Sequence, residues 1–271
     1  MKRTTYIIFG MLLAGLVVVC GGIFYTFTQM GDWNDSVMEI GGERKTTQLP
    51  ECKVIQLVSD KETVDDNGDV RVTAFNSLPL KVSQTNNPTG TFTYISGLDK
   101  YMTLNSVGDT LRISLNFDRN KLEKKYKDIQ WLNIRSEEMV LTLPANVQQV
   151  TSNLRQQTAT FKDFDCDSLS FSIDYYVEIE NCRFKALFAQ SGDLQFNSGE
   201  VSNLHLNLDG INNWTVKADA FYIDTEYLYA SDKSECTLEK GECKQVVWIP
   251  QSRDASLDIK LKEAAKIMVT E

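Results

Sequence analysis

The stretch from Thr158 to Val269 constrains this chain most, because one short unit recurs along it. Apolar runs begin at Val177, Leu194, Trp214, Cys236 and Leu257, and a second run follows in each unit: Phe184 to Phe188, Leu204 to Leu208, Phe221 to Ile223, Val246 to Ile249 and Ile267 to Val269. The starts recur roughly every 20 residues, the spacing of solenoid coils stacked on one another. Within the runs apolar and polar residues alternate, as in strands with one buried face. Ser191-Gly192-Asp193, Asn197-Ser198-Gly199, Asp209-Gly210 and Ser231-Asp232 fall between runs, where turn conformations are needed. One such unit cannot bury its own apolar side, so the expectation is a stack of coils sharing a core. Residues 262–271 are expected to help close its end.

Before Pro144 the pattern is that of hairpins and a conventional sheet. Asp65-Asp66-Asn67-Gly68, between Val54-x-x-Leu57 and Val70-x-Val72-x-Ala74, is a hairpin signal. Asp65-x-Asn67-x-Asp69 also resembles the start of a calcium loop, but Val70 stands where such a loop needs glycine and Asn76 where it needs glutamate. Leu111 to Phe117 alternates strictly. Asn120 to Asp128, with four lysines, reads as a short helix or a solvated excursion. The layout expected is a tip and transmembrane helix over 1–30, a linker over 31–50, an N-terminal β region over 51–150 and β-solenoid repeats over 151–271.

Tyr6 to Phe27 carries no charge and is long enough to cross a bilayer, which takes about 20 residues. Lys2 and Arg3 precede it and acidic residues follow. The expectation is a single-pass inner-membrane anchor with the N-terminus cytoplasmic and the body periplasmic or otherwise extracytoplasmic. A cleaved signal peptide and a lipoprotein signal ending at Cys20 are the alternatives. Gly10, Ala14 and Gly15 have the small-residue spacing of packed membrane helices, which suits an accessory subunit of an envelope complex.

A net charge of −9 disfavours nucleic acid and anionic lipid as partners, since both are bound through clustered lysine and arginine. Six cysteines suit an exported protein. Cys236 and Cys243 flank a turn and are the expected disulfide pair, with Cys166 and Cys182 nearly one coil apart. No Cys-x-x-Cys is present and His205 is the single histidine, so no metal site and no cofactor are expected.

Leu78-Pro79-Leu80-Lys81-Val82, Gly108 to Ile113, Met139 to Pro144 and the later repeats with Ser191-Gly192-Asp193 and Leu206 to Gly210 follow one another in the order of a known layout. That order, over roughly residues 50–270, resembles the GIN-type head domain family, named for autotransporter adhesin heads and common in envelope proteins of Bacteroidetes-like bacteria. The resemblance implies an all-β fold: a smaller β region followed by a right-handed parallel β-helix. It implies no catalytic residue.

Candidate chemistry is sparse. A Ser-His-Asp arrangement would need His205, which alternation between Leu204 and Leu206 aims away from the core. Asp163, Asp165 and Asp167 alternate and could act as paired carboxylates on a glycoside or hold calcium, although acidic residues are common at wet strand positions. Tyr175, Tyr176, Trp214, Tyr222, Tyr227, Tyr229 and Trp248 could stack on sugars or on a protein, or simply fill the coils. Asn34-Asp35-Ser36 and Asn213-Trp214-Thr215 match the glycosylation triplet. The expected function is a non-catalytic binding, adhesion or scaffolding module with a protein or glycan partner on the solenoid face. A carbohydrate-active enzyme is the alternative.

Overall fold

In the computed structural model, residues 15–22, 36–59, 63–64, 70–238, 242–261 and 267–269 are described. Residues 1–37 and 38–271 separate into two compact units. Among the described residues, the first unit contains a helix over 15–22, which at 1.5 Å per residue rises about 12 Å. A hydrocarbon core is about 30 Å thick, and no described helix is long and apolar enough to cross a membrane. This overturns the expected transmembrane helix, and with it the single-pass inner-membrane placement. The rest of Tyr6 to Phe27, including Gly10 and Ala14, lies outside the described residues.

The second unit is mostly β. Two strands, Val37–Ile40 and Arg44–Gln48, fall inside the stretch read as a spacer. Val37–Ile40 joins a four-stranded sheet with Trp131–Ser136, Val70–Ser77 and Thr63–Val64. Val70–Ser77 pairs antiparallel with Thr63–Val64, not with the 54–57 run; the Asp65–Gly68 turn and Asp69 lie outside the described residues. Residues 119–126 form two 3-10 turns, Arg119–Lys121 and Lys124–Tyr126, that bury Leu122 and Tyr126 while the lysines stay wet.

Among the described residues, the large sheet has sixteen strands. From Thr158 onward its pairs are parallel and in register: Asp165 opposite Arg183, Arg183 opposite Glu200, Glu200 opposite Tyr222, Ile223 opposite Cys243, Val246 opposite Ile267. The expected right-handed parallel β-helix, following a separate β region, is nevertheless not what forms, and no solenoid is identified. In a solenoid each repeat touches only its sequence neighbours. Here Leu80–Thr85 is inserted between Met139–Pro144 and Thr158–Lys162, and Val54–Ser59 between Thr110–Leu115 and Gln149–Ser152. Antiparallel pairs also enter the same sheet, through Arg44–Gln48 on Thr91–Ile95 and Met102–Val107 on Thr110–Leu115.

Two long strands, Asp165–Glu180 and Cys182–Phe196, replace the pairs of short runs read from the sequence. Each bends and pairs with different strands on the two sides of the bend. The first meets Gln149–Ser152 through Ser170 to Ile173 and Thr158–Lys162 through Tyr176 to Glu180, with a bulge between Ile173 and Tyr176. At the bend of the second sits Gly192, where a Cβ would come within 2.8 Å of the Tyr175 carbonyl oxygen. Ser191-Gly192-Asp193 therefore lies inside a bent strand. The inward residues form one core in which Phe161 stacks on Phe171 at 4.7 Å and Phe196 tilts onto Phe221 at 5.1 Å.

Candidate functional site

The outward side of the parallel strands carries the most distinctive surface. In-register pairing places Val54, Gln149, Ser170, Phe188, His205 and Tyr227 in one row across six strands. The adjoining row runs through Gln56, Thr151, Ser172 and Gln190, with Asn207 opposite Tyr229 further along. Their neighbours in sequence, including Val150, Phe171, Leu187, Leu204 and Leu228, point into the core. A row of rings thus stands beside a row of amides and hydroxyls, both held by strands whose opposite side is packed.

The rings stack as a continuous ladder. Phe188 lies 4.3 Å from His205 at 13°, and His205 lies 4.6 Å from Tyr227 at 7°. The Tyr229 hydroxyl and His205 Nδ1 are 2.7 Å apart, which fixes the imidazole from the side. Burial between the rings pushes the imidazole pKa down; burial also pushes the Tyr229 phenol up. His205 does point away from the core, as alternation required, but it is sandwiched and paired with a phenol, and no serine-carboxylate arrangement surrounds it among the described residues. Phe188 remains 45 % exposed.

Beside the ladder lies a patch of charge. Asp165, Arg183 and Glu200 face one another across three strands, with Arg183 3.5 Å from Asp165 and 2.6 Å from Glu200. Lys185 holds Asp167 at 2.6 Å, and Lys244 pairs with Asp224. Asp163 sits at a corner with φ of 58° and accepts from Asn181 Nδ2 at 2.6 Å. The three aspartates singled out from the sequence are therefore divided between a corner and two cation pairs. Paired glycosidic carboxylates need one acid withdrawn from water and a shared space for the sugar between them; Asp165 and Asp167 are instead solvent-facing. No metal-binding group of three or more histidine, cysteine or carboxylate side chains occurs among the described residues.

A second polar cluster is internal. Glu226 is fully buried and neither carboxyl oxygen has a hydrogen-bond partner. The Cys243 thiol stands alongside, and Glu242 is buried nearby, accepting from the Trp214 indole at 3.1 Å. Burial, then the neighbouring Glu242, pushes the Glu226 carboxyl well above the usual range. Cys236, raised to about 12 by burial, and Cys243 are free thiols, as are Cys166 and Cys182, so the expected disulfide is not formed. Much of the turn joining Cys236 and Cys243, residues 239–241, lies outside the described residues.

No family profile matches the chain. No curated protein matches it either. Among solved structures, it is similar to a candidate lipid-binding protein from Parabacteroides distasonis, at 10% identity over 86% of this chain and 99% of that one, with a TM-score of 0.40. It is also similar to a candidate adhesin from Bacteroides fragilis (10% identity, 86% and 100% coverage, TM-score 0.38) and one from Parabacteroides distasonis (8%, 86% and 100%, 0.35). These similar structures are named as adhesin and lipid-binding candidates, and the narrower GIN-type head assignment is not confirmed.

Of the aromatics noted in the sequence, Tyr227 joins the ladder and Tyr229 braces its imidazole, while Tyr175 and Tyr222 are exposed elsewhere. Trp214 serves Glu242, Trp248 is buried, and Tyr176 donates to Glu178 at 2.8 Å. Phe188 was missed, because it sits in an apolar run that reads as core. Its signal was parity: Leu187 and Ala189 occupy one face, which leaves Phe188 on the other.

Proposed function

We propose that this chain is a non-catalytic binding module of adhesion type, whose ligand-contacting surface is the ring row and the polar row beside it. The Phe188–His205–Tyr227 stack carries the reading. Three rings in near-parallel contact occupy the solvent side of a sheet, where alternation ordinarily places polar residues. Rings already clamped by their neighbours lose little rotamer freedom when a ligand arrives, so their contact area converts efficiently into affinity. The flanking amides and hydroxyls supply orientation, and the cation-paired aspartates keep the adjoining patch close to neutral.

The test is retention of the full chain on glycan and peptide arrays, alongside a variant carrying Phe188→Ala and Tyr227→Ala. The expected result is retention by at least one array class, weakened about tenfold or more in the variant, with circular dichroism unchanged. Cleavage of any arrayed glycan, or retention indifferent to both substitutions, would overturn the proposal.

A further inference from the structure

The ring ladder fills only three of the six positions of its row. Tyr227, His205 and Phe188 fill three successive positions of the row, Ser170 occupies the next, and Gln149 the one after. Adjacent strands are about 4.8 Å apart, so Phe188 and Gln149 rise from backbones about 9.6 Å apart with only a hydroxymethyl group between them. A ring touching a neighbour on each side needs about 3.5–4 Å per contact. The gap over Ser170 therefore has the thickness of one inserted ring. One face of Phe188 is covered by His205; the other turns toward this gap, and the ring is among the most exposed large apolar side chains of the described residues. A surface cavity of about 810 Å³ opens there, bordered by Phe188, Ser168, Ser170, Gln148, Gln149 and Asp167.

Resting on the binding-module reading above, we infer that the gap over Ser170, between the free face of Phe188 and Gln149, is a subsite for one pyranose ring of a neutral glycan. The border matches that ligand on both counts. A pyranose presents an axial C–H face to an aromatic ring and a rim of hydroxyls that both donate and accept. Phe188 supplies the first surface. Gln148 and Gln149 amides, Ser168 and Ser170 hydroxyls and the Asp167 carboxylate supply donors and acceptors for the second. An aromatic side chain from a protein would match the thickness but leave the amides and hydroxyls desolvated without partners. An acidic sugar would find the nearby cations, Arg183 and Lys185, already paired with Asp165 and Asp167, on a chain of net charge −9. Ser170 is the specificity-determining position, since its small size is what leaves the step open.

The test uses the full chain with methyl β-glucopyranoside, methyl β-galactopyranoside and methyl α-mannopyranoside as probes. N-acetylneuraminic acid and a capped phenylalanine peptide serve as comparison ligands. Saturation-transfer NMR and titration calorimetry read binding in the native chain, in Ser170→Phe, which fills the step, and in Tyr227→Ala, which removes the far end of the ladder. Circular dichroism and melting report that each variant is folded, and Gln149→Ala supplies a second alteration of the same gap. The expected result is saturation transfer concentrated on one face of a neutral pyranoside. Binding should weaken at least tenfold in Ser170→Phe and several-fold in Gln149→Ala, with a smaller loss in Tyr227→Ala.

Pyranoside binding that survives Ser170→Phe and Gln149→Ala but is lost in Tyr227→Ala would overturn the subsite and leave the binding face standing. Capture of the phenylalanine peptide in preference to every pyranoside, blocked by Ser170→Phe, would replace the sugar with a protein partner. Preference for N-acetylneuraminic acid would overturn the neutral class. Absence of binding to every probe overturns the subsite, and array retention in the preceding test then decides whether the binding face falls with it.

Discussion

Glu226 interrupts a row that is otherwise aliphatic: Leu169, Leu187, Leu204, Glu226, Val246 and Ile267 lie opposite one another in successive strands. A buried, unpartnered carboxyl costs about 1–3 kcal/mol, so Glu226→Leu is expected to stabilise the fold by about that amount in urea unfolding at pH 7. The pH dependence has a definite sign. Because the folded carboxyl titrates well above the unfolded one, its contribution is fully present below the unfolded value of about 4.3 and is lost as pH rises through the folded value. Stability of the native chain should therefore fall from mildly acid toward alkaline pH by a component that Glu226→Gln and Glu226→Leu both remove. A component equally steep in both variants would assign it to other groups. His205 gives the opposite slope. Its lowered value means that acidification below about 6.5 forces a charge between two rings, so stability is lost as pH falls toward the folded value. His205→Ala should cost about 1–3 kcal/mol, reflecting two ring contacts at 0.5–1.5 kcal/mol each.

Successive strands of the parallel stack are joined through tight corners. Asp163 and Asn181 adopt φ of 58° and 50° and are hydrogen-bonded to one another, and the next corner is turned by Gly199 at φ of 134°. A Cβ on Gly199 would lie 2.0 Å from the Cys182 carbonyl oxygen, so the corner above physically excludes a side chain there. Gly199→Ala is expected to destabilise by at least about 2 kcal/mol, because backbone must move. Asn181→Gly should cost under about 1 kcal/mol, since glycine accepts the left-handed corner and only an exposed hydrogen bond is lost. Chemical denaturation of the two variants provides the comparison, and equal losses would remove the corner explanation. These elements were partly legible: Asn197-Ser198-Gly199 marks a corner through its composition. Ser191-Gly192-Asp193 has the same composition yet lies within a bent strand, because small residues serve close stacking as readily as turning.

At the scale of the molecule, residues 38–271 behave as one compact unit, with the large sheet drawing strands from almost its whole length. Val54–Ser59 covers the edge of Gln149–Ser152, and Leu80–Thr85 covers that of Thr158–Lys162. A fragment of residues 151–271 would expose the edge of Thr158–Lys162 with its core side. It is expected to lose the sigmoidal thermal transition of the full chain; a cooperative melt of the fragment alone would contradict this. Alternation, run length and turn composition by themselves determined that the chain is β-rich, which residues face inward over most strands, and that His205 points outward, because side-chain parity is a local property of an extended backbone. Only the tertiary structure decided that the early strands thread among the later ones, that Phe188 is a surface ring and that Glu226 is buried. Those outcomes depend on pairing between residues far apart in sequence and on parity reversals at bends, neither of which leaves a local mark.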